Sequence, residues 1–159
     1  MAKRLTMRAV DYARKLFQYI PMDTPPVRLT PLLEKFDIKL YYEDFRSIDG
    51  IAIKSPKVSV IVVNKNLPLT RQRFTIAHEF GHLIMPHKSD FYVCYPGRNK
   101  LMERDANKFA AEILMPQPIM ALLWDKYESN YQNRVDVIAG ILKVSKSALR
   151  ARIRELRLK

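Results

Sequence analysis

Hydrophobic and polar positions follow two different periods along the chain, and the changes between them mark the order of the predicted elements. Apolar residues recur at helical spacing over residues 8–20, and Pro21 ends that stretch. A second, short helix begins near Leu29, with Thr30 as the expected N-cap and Pro31 in the first turn. The chain is therefore expected to open with two helices.

From Ile38 the period changes to two, which is typical of half-buried strands. The alternation covers residues 38–42, 50–54 and 58–63, and turn-forming residues separate these stretches. Because the connections are short, the pattern predicts a small antiparallel sheet of three strands.

Helical spacing returns after the sheet. One long helix is expected to begin with Thr70 as its N-cap and to end near Pro86, and a second covers residues 100–115. Residues 87–99 are expected to form a loop over the first of these helices, and a further helical stretch covers residues 119–127. The middle of the chain is therefore predicted to be helical.

Residues 135–150 have the form of a helix, a tight turn and a second helix, with Ser145 as the expected N-cap of the second. That helix lacks Asn or Gln for base reading, but its basic residues suit contact with phosphate or with an acidic partner. The residues predicted to make such contacts are Lys146, Arg150, Arg154 and Arg157. A helical pair that docks on the core or on a partner protein, with solvated charges, is the alternative.

Length and net charge limit the number of domains and the kinds of partner that the chain is expected to have. At 159 residues the chain is expected to form one compact domain, or one domain with a small appendage, and we place the division at 1–127 and 128–159. The net charge of +12 suggests an acidic partner, and a merely solubilising surface is the alternative. No apolar run approaches the roughly 20 residues that span a bilayer, and the basic N-terminus does not resemble a secretory signal. With a single cysteine, these features predict a cytoplasmic protein without membrane contact.

Residues 78–82 contain the pattern HExxH. On a helix, His78 and His82 lie one turn apart on the same face and can bind one metal ion, while Glu79 can accept a proton from the attacking water. The chain has three histidines, and all lie within residues 78–87, the third being His87. A structural zinc site would need four protein ligands, and the single cysteine excludes a thiolate-rich one. An open catalytic site is favoured over a chance match on an ordinary helix.

A catalytic zinc site usually takes a third protein ligand, and the helix over residues 100–115 offers Glu103, Asp105 and Glu112. Glu103 shares its face with small residues that permit close helix packing, whereas Asp105 and Glu112 are expected to face water. Asn107 lies one turn beyond Glu103, where its oxygen could accept the Nδ1 proton of a ligand histidine. Glu103 is the preferred ligand, and a surface carboxylate at a helix start is the alternative.

Two linked segments, residues 73–82 and 103–116, closely resemble the ImmA/IrrE-type metallopeptidases. The resemblance extends over roughly residues 8–120 and more weakly into the C-terminus. It implies an α+β, zincin-like fold of the gluzincin kind, with the HExxH helix, the small antiparallel sheet, a glutamate-bearing helix and a short helical C-terminal part. It further implies one zinc ion per chain, or another divalent metal.

Carried over residue by residue, the resemblance makes His78, His82 and Glu103 the metal ligands and Glu79 the catalytic base. It also implies cleavage of a helix-turn-helix repressor, which would relieve repression of mobile-element, toxin–antitoxin or stress-response genes. Many relatives carry a histidine just after the second ligand, but Pro86 precedes His87 here, so His87 departs from the pattern.

Tyr92 and Tyr95, which follow in the predicted loop, are further candidates to assist catalysis. Two other functions remain open: a metal-sensing regulator that binds DNA through the basic C-terminus, and a non-catalytic partner in a toxin–antitoxin pair.

Overall fold

A computed structural model describes residues 7–86, 92–94, 97 and 99–159. Within these residues, an α+β fold combines seven α-helices with a sheet of four strands. In chain order the elements are α1 (Ala9–Lys15, continued by a 3₁₀ turn at Leu16–Tyr19), α2 (Leu29–Lys35), β1 (Ile38–Glu43), β2 (Gly50–Lys54), β3 (Ser59–Asn64), α3 (Leu69–Ile84), β4 (Tyr92–Cys94), α4 (Lys100–Leu114), α5 (Gln117–Lys126), α6 (Arg134–Leu142) and α7 (Lys146–Leu156). None of the described helices is both long enough and apolar enough to cross a membrane.

The sheet is mixed, with the order β1-β3-β2-β4, so the predicted antiparallel sheet of three strands is wrong in both topology and strand number. β1 pairs with β3 in parallel, whereas β2 pairs antiparallel with both β3 and β4. The reason is that β3 lies between β1 and β2, with Ile61 and Val63 fully buried at its centre. A short connection from β1 to β2 therefore does not imply that they pair.

β4 corrects the prediction of a loop over residues 87–99, most of which lie outside the described residues. Tyr92, Val93 and Cys94 pair with Lys54, Ile53 and Ala52 of β2, respectively. An aromatic and a β-branched residue suit a strand. A segment of only three residues nevertheless forms a strand here because it pairs with the side of β2 that β3 does not occupy. Among the described strands, β4 comes last in the order, next to β2.

The predicted helix starts are confirmed in one case and wrong in two. Ser145 caps α7 as expected, its hydroxyl accepting from the amide of Ala148 at 3.1 Å. Thr30 and Thr70 lie inside α2 and α3 and are not N-caps, since the N-cap positions are Arg28 and Pro68, two residues earlier than predicted. Both preceding residues have extended backbone, and no side-chain hydrogen bond caps either helix. The backbone entering each helix, not a nearby threonine, determines these two starts.

α3 and α4 pack closely, as the stripe of small residues predicts. A Cβ added to Gly81 would lie 2.9 Å from Cδ1 of Phe109, while Ala106 and Ala110 are fully buried. On its other side α3 lies against β2, where a Cβ added to Gly50 would lie 2.5 Å from Cγ2 of Thr75. These contacts place the middle of α3 between the sheet and α4.

The predicted helix-turn-helix form of the C-terminus is present as α6 and α7, with Lys143 in the left-handed conformation at the turn. α7 is fixed to α4 by Arg152, which is 2% exposed and forms an ion pair with the fully buried Glu112. The division into 1–127 and 128–159 stays a prediction.

Candidate metal centre

α3 brings the two histidines of the HExxH pattern together on one face. The Nε2 atoms of His78 and His82 lie 3.2 Å apart, as residues one helical turn apart allow. α4 adds Glu103, whose Oε1 lies 2.9 Å from Nε2 of His82 and whose Oε2 lies 3.3 Å from Nε2 of His78. The three residues each offer a ligand atom, and these atoms all lie within 4.8 Å of one another.

The chemistry of this donor set fits a metal ion. Two imidazole nitrogens and a carboxylate oxygen converge on one point, and such electron-rich atoms repel one another unless a cation or a proton lies between them. Two nitrogens and one carboxylate oxygen are also ligands that zinc accepts in catalytic sites, with a further position left open. His78, His82 and Glu103 could therefore hold a divalent metal.

Asn107 is placed to fix the orientation of His78. Its Oδ1 lies 2.8 Å from Nδ1 of His78, on the side of the ring away from Glu103. Because an amide oxygen accepts but does not donate, Nδ1 carries the proton and Nε2 keeps its lone pair for a metal. Such a contact sets both the tautomer and the ring orientation.

Glu79 lies beside the cluster, 3% exposed, and its Oε2 has no hydrogen-bond partner within the described part of the chain. Burial, followed by the nearby charge of Glu103, raises the pKa of Glu79 to about 8. A cation held by His78, His82 and Glu103 would oppose both effects and favour the ionised carboxylate.

Tyr92 and Cys94 connect the sheet edge to the cluster. The hydroxyl of Tyr92 donates to the backbone carbonyl of His82 at 2.9 Å, which ties β4 to α3. Burial, followed by the nearby Cys94, raises the pKa of Tyr92 above its ordinary value. Burial, with smaller effects of Glu79 and Glu103, raises the pKa of Cys94 to about 12. A catalytic role of Tyr92 stays a prediction, while His87 and Tyr95 lie outside the described residues.

The cluster opens into a cleft of about 660 Å³, called the metal-centre cleft here. Its lining comes from the segment that enters β2, from α3, from α4 and from α7. An ion pair between Asp49 and Arg71, with Nε of Arg71 2.6 Å from Oδ2 of Asp49, spans the first two of these elements. Substrate-sized space therefore adjoins the three possible ligands.

The burial of Glu112 contradicts the prediction that its side chain on α4 faces water. Its helical position predicts a side chain in water, but the side chain is fully buried and contacts Arg152 and, at 3.4 Å, Nε of Arg14. Asp105 is half-buried. One signal for the pair is present in the sequence, because Arg152 lies at helical spacing from both Leu149 and Leu156, on the apolar face of α7. Residue spacing on α4 alone gives no such signal.

Comparison with known proteins now identifies the family. A peptidase family described as the IrrE N-terminal-like domain matches residues 33–154, a range that includes both helices of the cluster and most of α7. The chain belongs to this family. The resemblance recognised in the sequence is thereby confirmed.

One similar protein is the radiation response metalloprotease IrrE of Deinococcus radiodurans, which is 37% identical over 78 residues. That match covers 45% of this chain and 24% of the relative, so the chain corresponds to about a quarter of the relative's length. Family and relative together support a metallopeptidase that uses a divalent metal.

Proposed function

We propose that this protein is a zinc-dependent endopeptidase that cleaves a helix-turn-helix transcriptional repressor and thereby relieves repression. The observation that carries the peptidase assignment is the convergence of His78, His82 and Glu103 next to the buried Glu79, in a cleft that His78, Glu79 and Glu103 help to line. In this proposal the first three are the metal ligands and Glu79 is the general base.

A zinc ion bound there would polarise the scissile carbonyl and lower the pKa of water from about 15.7 toward 7. Glu79 accepts the proton of the attacking water and passes it to the leaving amine. Its burial serves this role, because a carboxylate shielded from solvent keeps its proton for the leaving group. Asn107 holds the ring of His78 in place through the contact at Nδ1.

The peptide is held by strand addition to β4. β4 pairs with β2 on one side and comes last in the order of the described strands, and its Tyr92 is tied to α3 at the carbonyl of His82. A substrate strand on the other side would run beside the cluster, with backbone hydrogen bonds fixing its register at little cost in sequence specificity.

The repressor as substrate rests on the family resemblance, and a reading frame for a helix-turn-helix protein next to the gene would support it. A cytoplasmic location belongs to the same proposal, since a transcriptional repressor acts there.

Replacing the general base tests the proposal. Glu79→Gln should retain the metal and the fold but cleave the repressor about 10²–10⁴-fold more slowly, because an amide cannot accept the water proton. Cleavage of purified repressor is followed by gel electrophoresis, and bound metal is measured in parallel. Glu128→Gln, at an exposed position outside the cleft, is the matched control. Cleavage by Glu79→Gln at the rate of the control would assign the chemistry to other residues.

Weak DNA binding by α7 is a second proposed property, favoured by one observation. Lys146, Arg150, Arg154 and Arg157 are all exposed, and Lys146 is paired with Asp136 at 3.0 Å. Without base-reading groups, such a surface would contact phosphates in any sequence.

Neutralising this surface should weaken DNA binding without changing peptide cleavage. In a variant with Arg150, Arg154 and Arg157 replaced by Gln, the slope of log affinity against log salt should fall by about 0.9 for each phosphate that the protein no longer neutralises. Binding of duplex DNA is measured by fluorescence anisotropy at several salt concentrations. An unchanged slope would mean that these charges are merely solvated. Tight sequence-specific binding at physiological salt, without proteolysis, would favour the metal-sensing regulator instead.

A further inference from the structure

The C-terminal helix forms one wall of the metal-centre cleft. Its lining includes His78, Glu79 and Glu103 of the cluster together with Ala148 and Ala151 of α7. α7 therefore faces the same space as the proposed metal ligands, although two further helices separate it from them in the sequence.

Apolar side chains of α3 and α4 also line the cleft, next to the cluster along each helix. Phe74 lies one turn before His78 on α3, and Ala111 and Met115 continue the line of Asn107 along the end of α4. One helical turn is about 5.4 Å, so the apolar lining begins about that far along each helix from the cluster. Residues of an extended peptide are about 3.3 Å apart, so a side chain next to the scissile bond would reach this lining.

Ala148 and Ala151 leave the space open. They lie three residues apart, on neighbouring positions of one helix face, and their methyl groups occupy little of the cleft. A second cavity, of about 440 Å³, shares Phe74, Arg71 and Ala148 with the first and extends to the turn before α7. A long apolar side chain therefore has room in this direction.

Charged groups near this part of the cleft are paired. Arg152 contacts Glu112 and Glu155, and Arg71 contacts Asp49. Because these charges are paired, they attract a charged substrate side chain only weakly. An apolar side chain, by contrast, would bind favourably by removing the apolar lining from water.

Hydrogen bonds to neighbouring parts of the protein hold α7, the wall of the cleft, in position. Nε of Arg152 donates to the carbonyl of Met115 at 3.1 Å, and Arg73 of α3 donates to the carbonyl of Lys143, just before α7, at 3.3 Å. Both contacts join α7 or its preceding turn to the helices that carry the cluster. The space between them is therefore formed before a substrate arrives.

From this geometry we infer that Ala148 and Ala151 of α7, together with Phe74 of α3, form a specificity subsite for a large apolar side chain flanking the scissile bond. The inference rests on the proposed peptidase function and adds its substrate preference. It also makes the C-terminal helix a part of the substrate-binding machinery.

Filling the subsite tests the inference. Wild type and Ala151→Phe are given an equimolar library of peptides, and the cleaved bonds are identified by mass spectrometry. Wild type should prefer bonds flanked by Leu, Ile, Met or Phe. Ala151→Phe should lower kcat/KM for these peptides by about 10–200-fold relative to peptides with Ala or Gly at that position, the range for a lost apolar fit in a pocket. Ala121→Phe, at an exposed position of α5, is the control and should keep the wild-type preference.

The outcomes separate the two proposals. Cleavage with the same preference in wild type and Ala151→Phe would overturn the subsite and leave the peptidase standing. If wild type cleaves none of the peptides, the peptidase proposal fails, and binding of fluorescent Leu and Ala peptides decides the subsite. The subsite is then supported if Ala151→Phe loses binding of the Leu peptide but not of the Ala peptide. It is overturned if the variant loses binding of both peptides equally or of neither. Should Ala151→Phe not fold, Ala151→Val gives the same comparison with a smaller effect.

Discussion

Glu103→Ala should release the metal ion and eliminate peptide hydrolysis. The carboxylate supplies one of three converging donors, with Oε1 2.9 Å from Nε2 of His82, and two histidines alone would leave a site with too few ligands. Asn107→Ala removes only the group that orients His78, so it should lower metal affinity or activity by about 10–100-fold. The two variants are dialysed against a weak chelator, and their bound metal and repressor cleavage are then measured. These measurements show which variant loses more metal and activity.

Asp105→Ala is the matched control on the same helix, and it should retain the metal. The order of effects is the test, with Glu103 most severe, Asn107 intermediate and Asp105 mild. Metal loss from Asp105→Ala, combined with a metal-replete Glu103→Ala, would show that the wrong residue of α4 has been assigned as the ligand.

The arrangement of this cluster could be anticipated because its determinants are local. His78 and His82 share a face through helical spacing alone, and the small residues on α4 that allow close packing also place Glu103 on the facing side. The bounds of α4 followed from apolar spacing to within one residue, and both ends of α3 followed to within two, the helix beginning at Leu69 without a threonine cap. Local periodicity therefore sufficed for both helices.

The sheet could not be anticipated in the same way. Strand order depends on which distant edges meet, and β3 separates β1 from β2 although it follows both in the chain. β4 exists through its pairing with β2, because a three-residue apolar segment does not by itself indicate a strand. The strand order and the presence of β4, which the alternation of residues predicted wrongly, therefore both depend on pairing between distant parts of the chain.

Glu112 shows the same limit for a single side chain. Its position on α4 suggested solvent, and an arginine 40 residues later in sequence makes it a buried ion pair. A buried carboxylate without a partner would be strongly unfavourable, so Glu112 depends on the presence of α7.

Arg152→Met should therefore lower the free energy of unfolding by about 3–5 kcal/mol, the usual effect of removing one partner of a buried ion pair. Arg152 is 2% exposed and Glu112 is fully buried, so the substitution leaves a carboxylate shielded from water. Arg14 contacts the same carboxylate at 3.4 Å, but its side chain is 42% exposed and offsets only part of the loss. The free energy of unfolding is measured by urea denaturation of the intact chain.

Two further variants separate the ion pair from the general effect of changing α7. Arg150→Met, on the exposed side of the same helix, should change stability by no more than about 0.5 kcal/mol. The double variant Glu112→Met, Arg152→Met should recover most of the stability, because a buried ion pair replaced on both sides by apolar residues of similar size is often neutral. If Arg152→Met matches Arg150→Met in stability, the buried pair does not hold α7 against α4. The wall of the metal-centre cleft would then need another support.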